Sequence, residues 1–457
     1  MYNIKEIAME YMRTIPWFLS TIVVLAIAGC TKSEGPTGVT PDPAKARERV
    51  DQANQILAPR LAVIYATQGR DTSSYNVSSA NSLYSEALAY DPNNLHAHFG
   101  FAVTELFGIA GDPELRAVFN GGGMAAPLAS IMTIASAKEN TDKIVSSLRT
   151  AVLSLSSKPL PQLPAQMYRN FGKTSARHPF SFYQNLIETR VMPRLFDALQ
   201  HLARILQDPT FAFYITPQLV GVSLKDSIRI DHTEIYLLYA AIQGVQAGAS
   251  FLVAYNVDYD ATTADAVRAA WQVSSPFLAF RPNGGQRMKD VKQDIFGMTI
   301  NIQSAINFLI HETTHPGRDL IPYHPADLPK LNAAARSLDT VRLILTVPVT
   351  IQNDFNGDRI DETVTINIGS LFDHAIANFK AELPAYAVDV QPGRGGKYDA
   401  VLRWTATTYD MWDFPNPTLN GFLPEVITSD EFKRTFGFSS ATWRPGVVIP
   451  WREIGDD

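Results

Sequence analysis

The sequence predicts a mainly α fold: a helical body with a minor β-hairpin and an irregular C-terminal tail. Apolar residues recur at helical spacing in many segments, for example Val50, Leu57 and Ile64. The strongest strand pattern is confined to "VRLILTVPVTIQ" (341–352) and "TVTINI" (363–368), which predicts a hairpin. The last segment is rich in proline, glycine and aromatic residues, as is typical of irregular chain that wraps over a folded body.

Composition limits the class of protein. The chain has 457 residues and a formal charge of -6 at pH 7, so it can bury a large core and is only mildly acidic. No basic face is apparent, which argues against nucleic acid as a partner. Cys30 is the only cysteine, so the core must be stabilised without disulfides.

Residues 1–29 have the pattern of a secretory signal peptide. Lys5 and Arg13 precede the apolar run "IPWFLSTIVVLAIAG", which is shorter than a membrane span of about 20 residues. The four residues Ile27-Ala28-Gly29-Cys30 resemble the lipobox of bacterial lipoproteins. The resemblance implies that Cys30 carries acyl chains such as palmitate and anchors the protein to a membrane of the bacterial cell envelope. An ordinary signal peptide followed by an unmodified cysteine is the alternative.

Thr31 follows the cysteine, where lipoproteins kept in the inner membrane often carry aspartate. The resemblance therefore favours the outer membrane, on its periplasmic or surface face. Residues 30–43 comprise the lipidated cysteine and a segment rich in proline, glycine and threonine, which predicts a flexible tether. A helix is expected to begin near Pro43 and to open an all-α body over residues 44–340.

Residues 80–107, "ANSLYSEALAYDPNNLHAHFGFAVTELF", resemble the tetratricopeptide repeat (TPR). The small, aromatic, small and proline positions of a repeat's second helix are matched by Ala80, Tyr84, Ala87 and Pro92. The packing positions of the next repeat's first helix are matched by Ala97, Phe101 and Ala102. The resemblance implies a TPR-like superhelical solenoid of helical hairpins, with close helix approach at the alanines. An ordinary helical hairpin of an all-α domain is the alternative, because "TQGRDTSS" replaces the helix that should open the repeat.

Further helices are predicted at residues 138–156, 181–207, 231–256, 262–272, 287–312, 327–338, 369–383 and 398–412. The helix at 231 begins with a capping-box pattern, Asp231 as N-cap and Glu234 three residues later. Before it, "TFAFYIT" and "DSIRI" predict a short pair of strands. Residues 341–457 are thus expected to combine the β-hairpin with helical and irregular segments.

One motif is typical of an enzyme. The stretch His311-Glu312-Thr313-Thr314-His315 reads H-E-x-x-H, in which a helix presents two histidines, one turn apart, to a zinc ion. The alternative function is therefore a zinc-dependent peptidase, with zinc on His311 and His315 and with Glu312 polarising the attacking water.

Two departures weigh against zinc. Pro316 disfavours the helical conformation at His315, and Thr313 is polar where the signature has an apolar residue. No third ligand stands in a recognisable motif. The candidates are Asp319, Asp327 and Glu382. The favoured interpretation is a helix end whose histidines complement the helix dipole, with neither a catalytic residue nor a metal.

A second metal alternative is calcium. In "NDFNGDRIDE" (353–362), oxygen ligands at positions 1, 3, 5 and 9 are supplied by Asp354, Asn356, Asp358 and Glu362, which resembles the start of an EF-hand loop. Arg359 stands where that loop needs glycine. The favoured interpretation is a polar hairpin turn in which Gly357 adopts the unusual backbone conformation.

No other catalytic pattern is visible: the glycine-rich stretches at 120–123 and 393–397 lack the arrangement of a phosphate loop. The favoured function is a membrane-anchored, non-enzymatic scaffold or binding protein whose helical-repeat groove holds a protein or a small-molecule ligand, without a cofactor. Helical lipoproteins that bind solutes for TRAP-type transporters are similar in anchor and repeat style. The stretch "HTEIYLLYAAIQG" (232–244) resembles helical segments of SusD-like glycan-binding lipoproteins.

Overall fold

The structure is a computed structural model. It describes residues 40–66, 76–115, 179–216, 227–258, 260–312, 321, 323, 325–355, 360–393, 397–404 and 413–436. The predicted signal peptide, Cys30 and the helix expected at 138–156 lie outside the described residues.

The part of the chain that the structure describes is mainly helical, as the sequence predicts. Its α-helices are α1 Pro43–Ala66, α2 Ser78–Tyr90, α3 Leu95–Gly111, α4 Phe180–Leu186, α5 Met192–Ile205, α6 His232–Ala254, α7 Ala264–Ala270, α8 Gly284–His311, α9 Leu328–Thr346, α10 Ser370–Asp373, α11 Phe379–Glu382 and α12 Ser429–Phe436. The strands form three antiparallel pairs: β1 Phe213–Ile215 with β2 Ile228–Ile230, β3 Val349–Asn353 with β4 Glu362–Ile366, and β5 Tyr386–Pro392 with β6 Tyr398–Trp404.

Helices α1, α2 and α3 pack as consecutive hairpins. The ring of Tyr84 on α2 is buried between the other two helices, and its hydroxyl donates to Asn54 Oδ1 on α1 at 2.7 Å. On α3, Gly100 lies directly against this ring, since an added Cβ would come within 2.2 Å of it. Helix α3 begins at Asn94, whose side chain accepts from Ala97 N at 3.0 Å. Small and large residues are thus matched across this interior.

Helices α4 and α5 form one continuous rod with a π-helical turn, Ile187–Val191, between them. Pro193 has no backbone N–H, so the carbonyl four residues before it loses its helical donor. The chain responds with a wider turn, in which Met192 N donates to Ile187 O five residues earlier. Helix α5 then packs against α3 through its buried leucines, Leu195, Leu199 and Leu202.

The long antiparallel pair α6 and α8 makes the most extensive contact between any two described elements. Gly244 on α6 lies against Met298 on α8, and Asn301 Nδ2 donates to Gln243 Oε1 at 2.9 Å across the interface. Among the described helices, α6 is long and apolar enough to cross a membrane by length and composition. Core helices of soluble proteins meet the same criterion, and α6 packs against α5 and α8.

Several predicted elements differ from the structure. The helix predicted at 398–412 is wrong, because residues 398–404 form strand β6. Residues 341–346, predicted as strand, continue helix α9 beyond the boundary expected at 340, because α9 packs against α8. The helix predicted at 369–383 is two single turns, α10 and α11.

Other expectations are confirmed. The hairpin β3–β4 and the short pair β1–β2 both form, the second of them inside the body that was expected to be purely helical. In the C-terminal region, residues 413–428 have neither helix nor strand and the short helix α12 follows them. The rest of the predicted irregular tail, residues 437–457, lies outside the described residues.

A buried lysine organises the region around α7, α11 and the β5–β6 hairpin. The ammonium group of Lys380 donates to the carbonyls of Ser275 at 2.8 Å and Ala270 at 3.4 Å, and also to that of Phe277. Ala270 is the last residue of α7, so the ammonium also lies at the negative end of that helix dipole. All three donors of the lysine are therefore used inside the protein.

Candidate functional site

The end of α8, which carries the H-E-x-x-H stretch, meets the start of α6 in a cluster of charged side chains. We call this the charged cluster; it consists of Arg229, Asp231, Glu234 and Glu312. Asp231 and Glu234 form the predicted capping box: Asp231 Oδ1 accepts from Thr233 N at 2.8 Å, and Glu234 Oε2 accepts from Asp231 N at 2.9 Å. Both carboxylates are buried, at 1% and 8% exposure.

Arg229, in the middle of β2, links the two helix ends. Its guanidinium Nη1 lies 2.9 Å from Asp231 Oδ2 and also pairs with Glu312 Oε1. The Glu312 side chain is only 7% exposed. Glu312, the residue that would polarise water in a zinc peptidase, is therefore held by an arginine, and a carboxylate in such a pair is a weak general base.

Glu234 also fixes the chain that follows the motif, since its Oε1 accepts from Ile321 N at 3.0 Å. Burial first, and the neighbouring Asp231 carboxylate second, raise the pKa of Glu234 to about 8, although its backbone hydrogen bonds lower it in part. The charged cluster thus ties β2, α6, the end of α8 and Ile321 together. This arrangement is that of a structural junction.

The two halves of the H-E-x-x-H stretch do not share one described helix. Helix α8 ends at His311, and Glu312 is extended, with φ -72° and ψ 120°. His311 Nδ1 lies 2.7 Å from the carbonyl of Asn307, which makes Nδ1 the donor. His315 lies outside the described residues, so zinc binding by the two histidines stays a prediction.

The two described candidates for a third ligand, Asp327 and Glu382, do not form a metal-binding group with His311. Asp327 is buried beside the start of α9 and lies 3.4 Å from Lys330 Nζ, and Glu382 ends the short helix α11. Asp319 lies outside the described residues. Within the described ranges, no group of three or more His, Cys, Asp or Glu side chains is arranged to hold a metal ion.

The calcium alternative falls at the β3–β4 turn. Asp354 and Glu362 flank the turn, and Glu362 Oε2 accepts from Phe355 N at 2.9 Å, closing the hairpin. Asn356 and Asp358 lie outside the described residues, so calcium binding here stays a prediction.

Sequence reasoning missed a histidine pair between α3 and α5. His98 Nδ1 lies 2.7 Å from His201 Nδ1, although the two residues are 103 positions apart. Burial, the neighbouring His98 and the charge of Arg204 lower the pKa of His201 to about 4. No local sequence pattern predicts this contact, because it forms only when α5 packs on α3.

A cleft of about 490 Å³ lies between β4 and α12. The polar residues that line it include Glu362, Thr363, Thr365, Glu425, Glu431 and Arg434. Two of its carboxylates have evident structural roles: Glu425 accepts from Thr365 Oγ1 at 2.6 Å, and Glu431 caps its own helix by accepting from Thr428 N at 3.0 Å.

Comparison with known proteins gives no relative: no protein-family model, no curated protein and no solved structure matches this chain.

Proposed function

We propose that this protein is a lipid-anchored, non-enzymatic scaffold of the bacterial cell envelope that binds a partner protein or small-molecule ligand in a groove of TPR-like helical hairpins. The anchor is Cys30, and residues 31–43 form the tether that places the body beyond the membrane surface. The outer membrane is the proposed location.

The single observation that carries the helical-repeat part of the proposal is the packing of Tyr84. In a TPR-like hairpin, an aromatic side chain from one helix fills the space left by small residues on its neighbours. Tyr84 does this against Gly100, and the small residues at the matched positions, Ala80, Ala87 and Ala97, are all fully buried.

The order of helix contacts gives further support. Helix α2 packs on α1 and α3, α3 on α5, α5 on α6, α6 on α8, and α8 on α9. Among the described helices, each long one thus touches mainly the long helix before or after it, as in a quasi-one-dimensional solenoid. Such a stack presents an extended surface to a peptide or another protein.

The non-enzymatic part rests on the charged cluster. Glu312 is paired with Arg229, and the helix of the H-E-x-x-H stretch ends at His311. Metal analysis tests this part: purified protein is expected to contain no stoichiometric zinc. Zinc at one equivalent that disappears in His311→Ala and is kept in His374→Ala, a change at an exposed histidine, would establish the peptidase alternative.

The anchor is tested by cell fractionation combined with labelling by an alkyne-tagged palmitate. The wild-type chain should carry label and sediment with membranes, whereas Cys30→Ser should lose both. A label that persists in Cys30→Ser, or a wild-type chain recovered unlabelled from the soluble fraction, contradicts the proposal.

Binding is tested with a photo-crosslinking residue placed at exposed positions on two helices, Ser85 on α2 and Ser337 on α9. The proposal expects one defined adduct from the hairpin position and none from α9. Identical adducts from both positions, or no adduct from several positions on α1–α3, would remove support for a groove formed by the hairpins.

A further inference from the structure

The contact between His98 and His201 joins the N-terminal hairpins to the rest of the helical stack. His98 is on α3 and His201 is on α5, the helix that packs directly on α3. His98 is 7% exposed, and the ring of His201 lies against Phe101 with 4.3 Å between centroids. A change at this pair would therefore act on the interface between α3 and α5, which we call the seam.

Proton positions in the pair follow from the two distances. His98 Nε2 lies 2.9 Å from the carbonyl of Pro92, so it must carry a proton and donate. In the neutral pair His98 Nδ1 is then the acceptor, and His201 Nδ1 donates to it across 2.7 Å. The space between the two Nδ1 atoms holds one proton.

One added proton can be accommodated, but a second cannot. A singly charged pair keeps one N–H between the rings, with the extra proton on His201 Nε2 or on His98. A doubly charged pair would have an N–H on both Nδ1 atoms, and at 2.7 Å these would face each other. The second proton therefore requires that α3 and α5 separate at this point.

The surroundings disfavour positive charge. Burial comes first in lowering the pKa of both histidines; Arg204 on α5 adds to this, while Asp91, before α3, partly opposes it at His98. Nearby on α3, the ring of His96 packs near those of Phe211 and Phe213. The charge of Asp51 on α1 acts on His96 as well. The ion pair of Arg194 with Glu105, 3.9 Å apart, also bridges α5 and α3.

We propose that His98 and His201 form a proton-sensitive latch that holds α3 against α5 at neutral pH and releases it on acidification. The inference does not depend on the proposed binding function. Each proton that binds only after opening raises the opening constant tenfold per pH unit once the pH is well below the usual histidine pKa of about 6.5. Burial disfavours the first added proton and the 2.7 Å contact excludes the second, so both bind mainly after opening. Together they raise the opening constant about 600-fold between pH 7 and pH 5, whereas one such proton raises it about 25-fold.

The test is backbone amide hydrogen exchange of α3 and α5 at pH 7 and pH 5, corrected for intrinsic exchange rates. The full chain is compared with His201→Asn, whose amide donates from the position of Nδ1 but does not titrate. Between pH 7 and pH 5, the opening constant of α3 and α5 should rise about 600-fold in the wild type and about 25-fold in His201→Asn. His374→Asn, at an exposed position away from the seam, should keep the full wild-type response.

Equal pH responses in the wild type and His201→Asn overturn the proposal. So does protection of the seam by zinc at pH 7 that is lost in His201→Asn, because the two nitrogens would then share a metal. If His201→Asn does not fold, NMR titration of the wild-type histidine ring protons decides. Two independent titrations near pH 6.5 contradict a latch, and coupled titration at lower pH supports it.

Discussion

In helices α1–α3 the interior is built from matched side-chain sizes, whereas around α7, α11 and the β5–β6 hairpin it is built on one buried charge. Tyr84 fits against Gly100 with no room for a methyl group. Lys380 instead satisfies three backbone carbonyls that come from a helix end and an irregular turn. The first region should respond gradually to changes in volume, and the second should fail when one ammonium group is removed.

The largest expected effect is at Lys380. Lys380→Met keeps much of the side-chain volume but leaves the carbonyls of Ala270, Ser275 and Phe277 buried without a donor, so we expect a loss of about 3–5 kcal/mol in the free energy of unfolding. Denaturant unfolding measures it. Lys45→Met, at an exposed lysine, should cost about 0.5 kcal/mol or less. Similar losses in the two variants would mean that the buried ammonium does not organise the region.

The next effect tests size matching in the hairpins. Gly100→Ala places a methyl group against the ring of Tyr84 and should lower the free energy of unfolding by about 1–3 kcal/mol. Thermal and denaturant melts check this. In a Tyr84→Leu background, where the ring is absent, the same substitution should cost much less. An unchanged cost in that background would show that the clash is not with Tyr84.

Acidification should destabilise the α1–α5 region more than the region around Lys380. Burial lowers the pKa of His96, His98 and His201 below the value of the unfolded chain. The unfolded state therefore binds more protons as the pH falls below about 6.5, and stability that is present at neutral pH is progressively lost toward pH 4. We expect the free energy that keeps α3 on α5 to fall by about 4 kcal/mol between pH 7 and pH 5, the equivalent of the 600-fold rise in the opening constant, with little change in amide protection around Lys380. Uniform loss of protection in both regions would refute the contrast.

The smallest effect is an increase in stability. Gly248 lies inside α6, and a Cβ added there meets no atom within 4 Å. Gly248→Ala should therefore stabilise by about 0.5–1 kcal/mol through helix propensity alone. Together with Gly100→Ala it forms a matched pair: the same chemical change in two helices, with opposite signs set by the neighbours.

The same contrast explains what the sequence could predict. The helices and the capping box at Asp231 were accessible because periodicity and caps are local signals. Strand β6 was misassigned although Tyr398, Ala400 and Leu402 alternate along it, since the segment also fits a helical pattern. The end of α9 has strand-forming residues, yet it is helical because it packs on α8, where Arg342 Nη2 bonds Gln303 Oε1 at 2.5 Å.

The candidate site shows the other limit. The H-E-x-x-H stretch was visible in the sequence, but its pairing with Arg229 joins residues 83 positions apart. The histidine pair and the carbonyls around Lys380 are similarly distant along the chain. Such contacts depend on how whole helices are placed, so local patterns do not contain them.

The π-helical turn before Pro193 has one more consequence. A turn of this kind accommodates one additional residue, and each residue of an α-helix advances the rotation by about 100°. The side chains of α5 therefore point in directions rotated by about 100° around the helix axis from those that an uninterrupted α-helix would give. Deleting one residue from this turn would direct His201 and the buried leucines of α5 away from α3. A single residue therefore sets which face of α5 packs on α3.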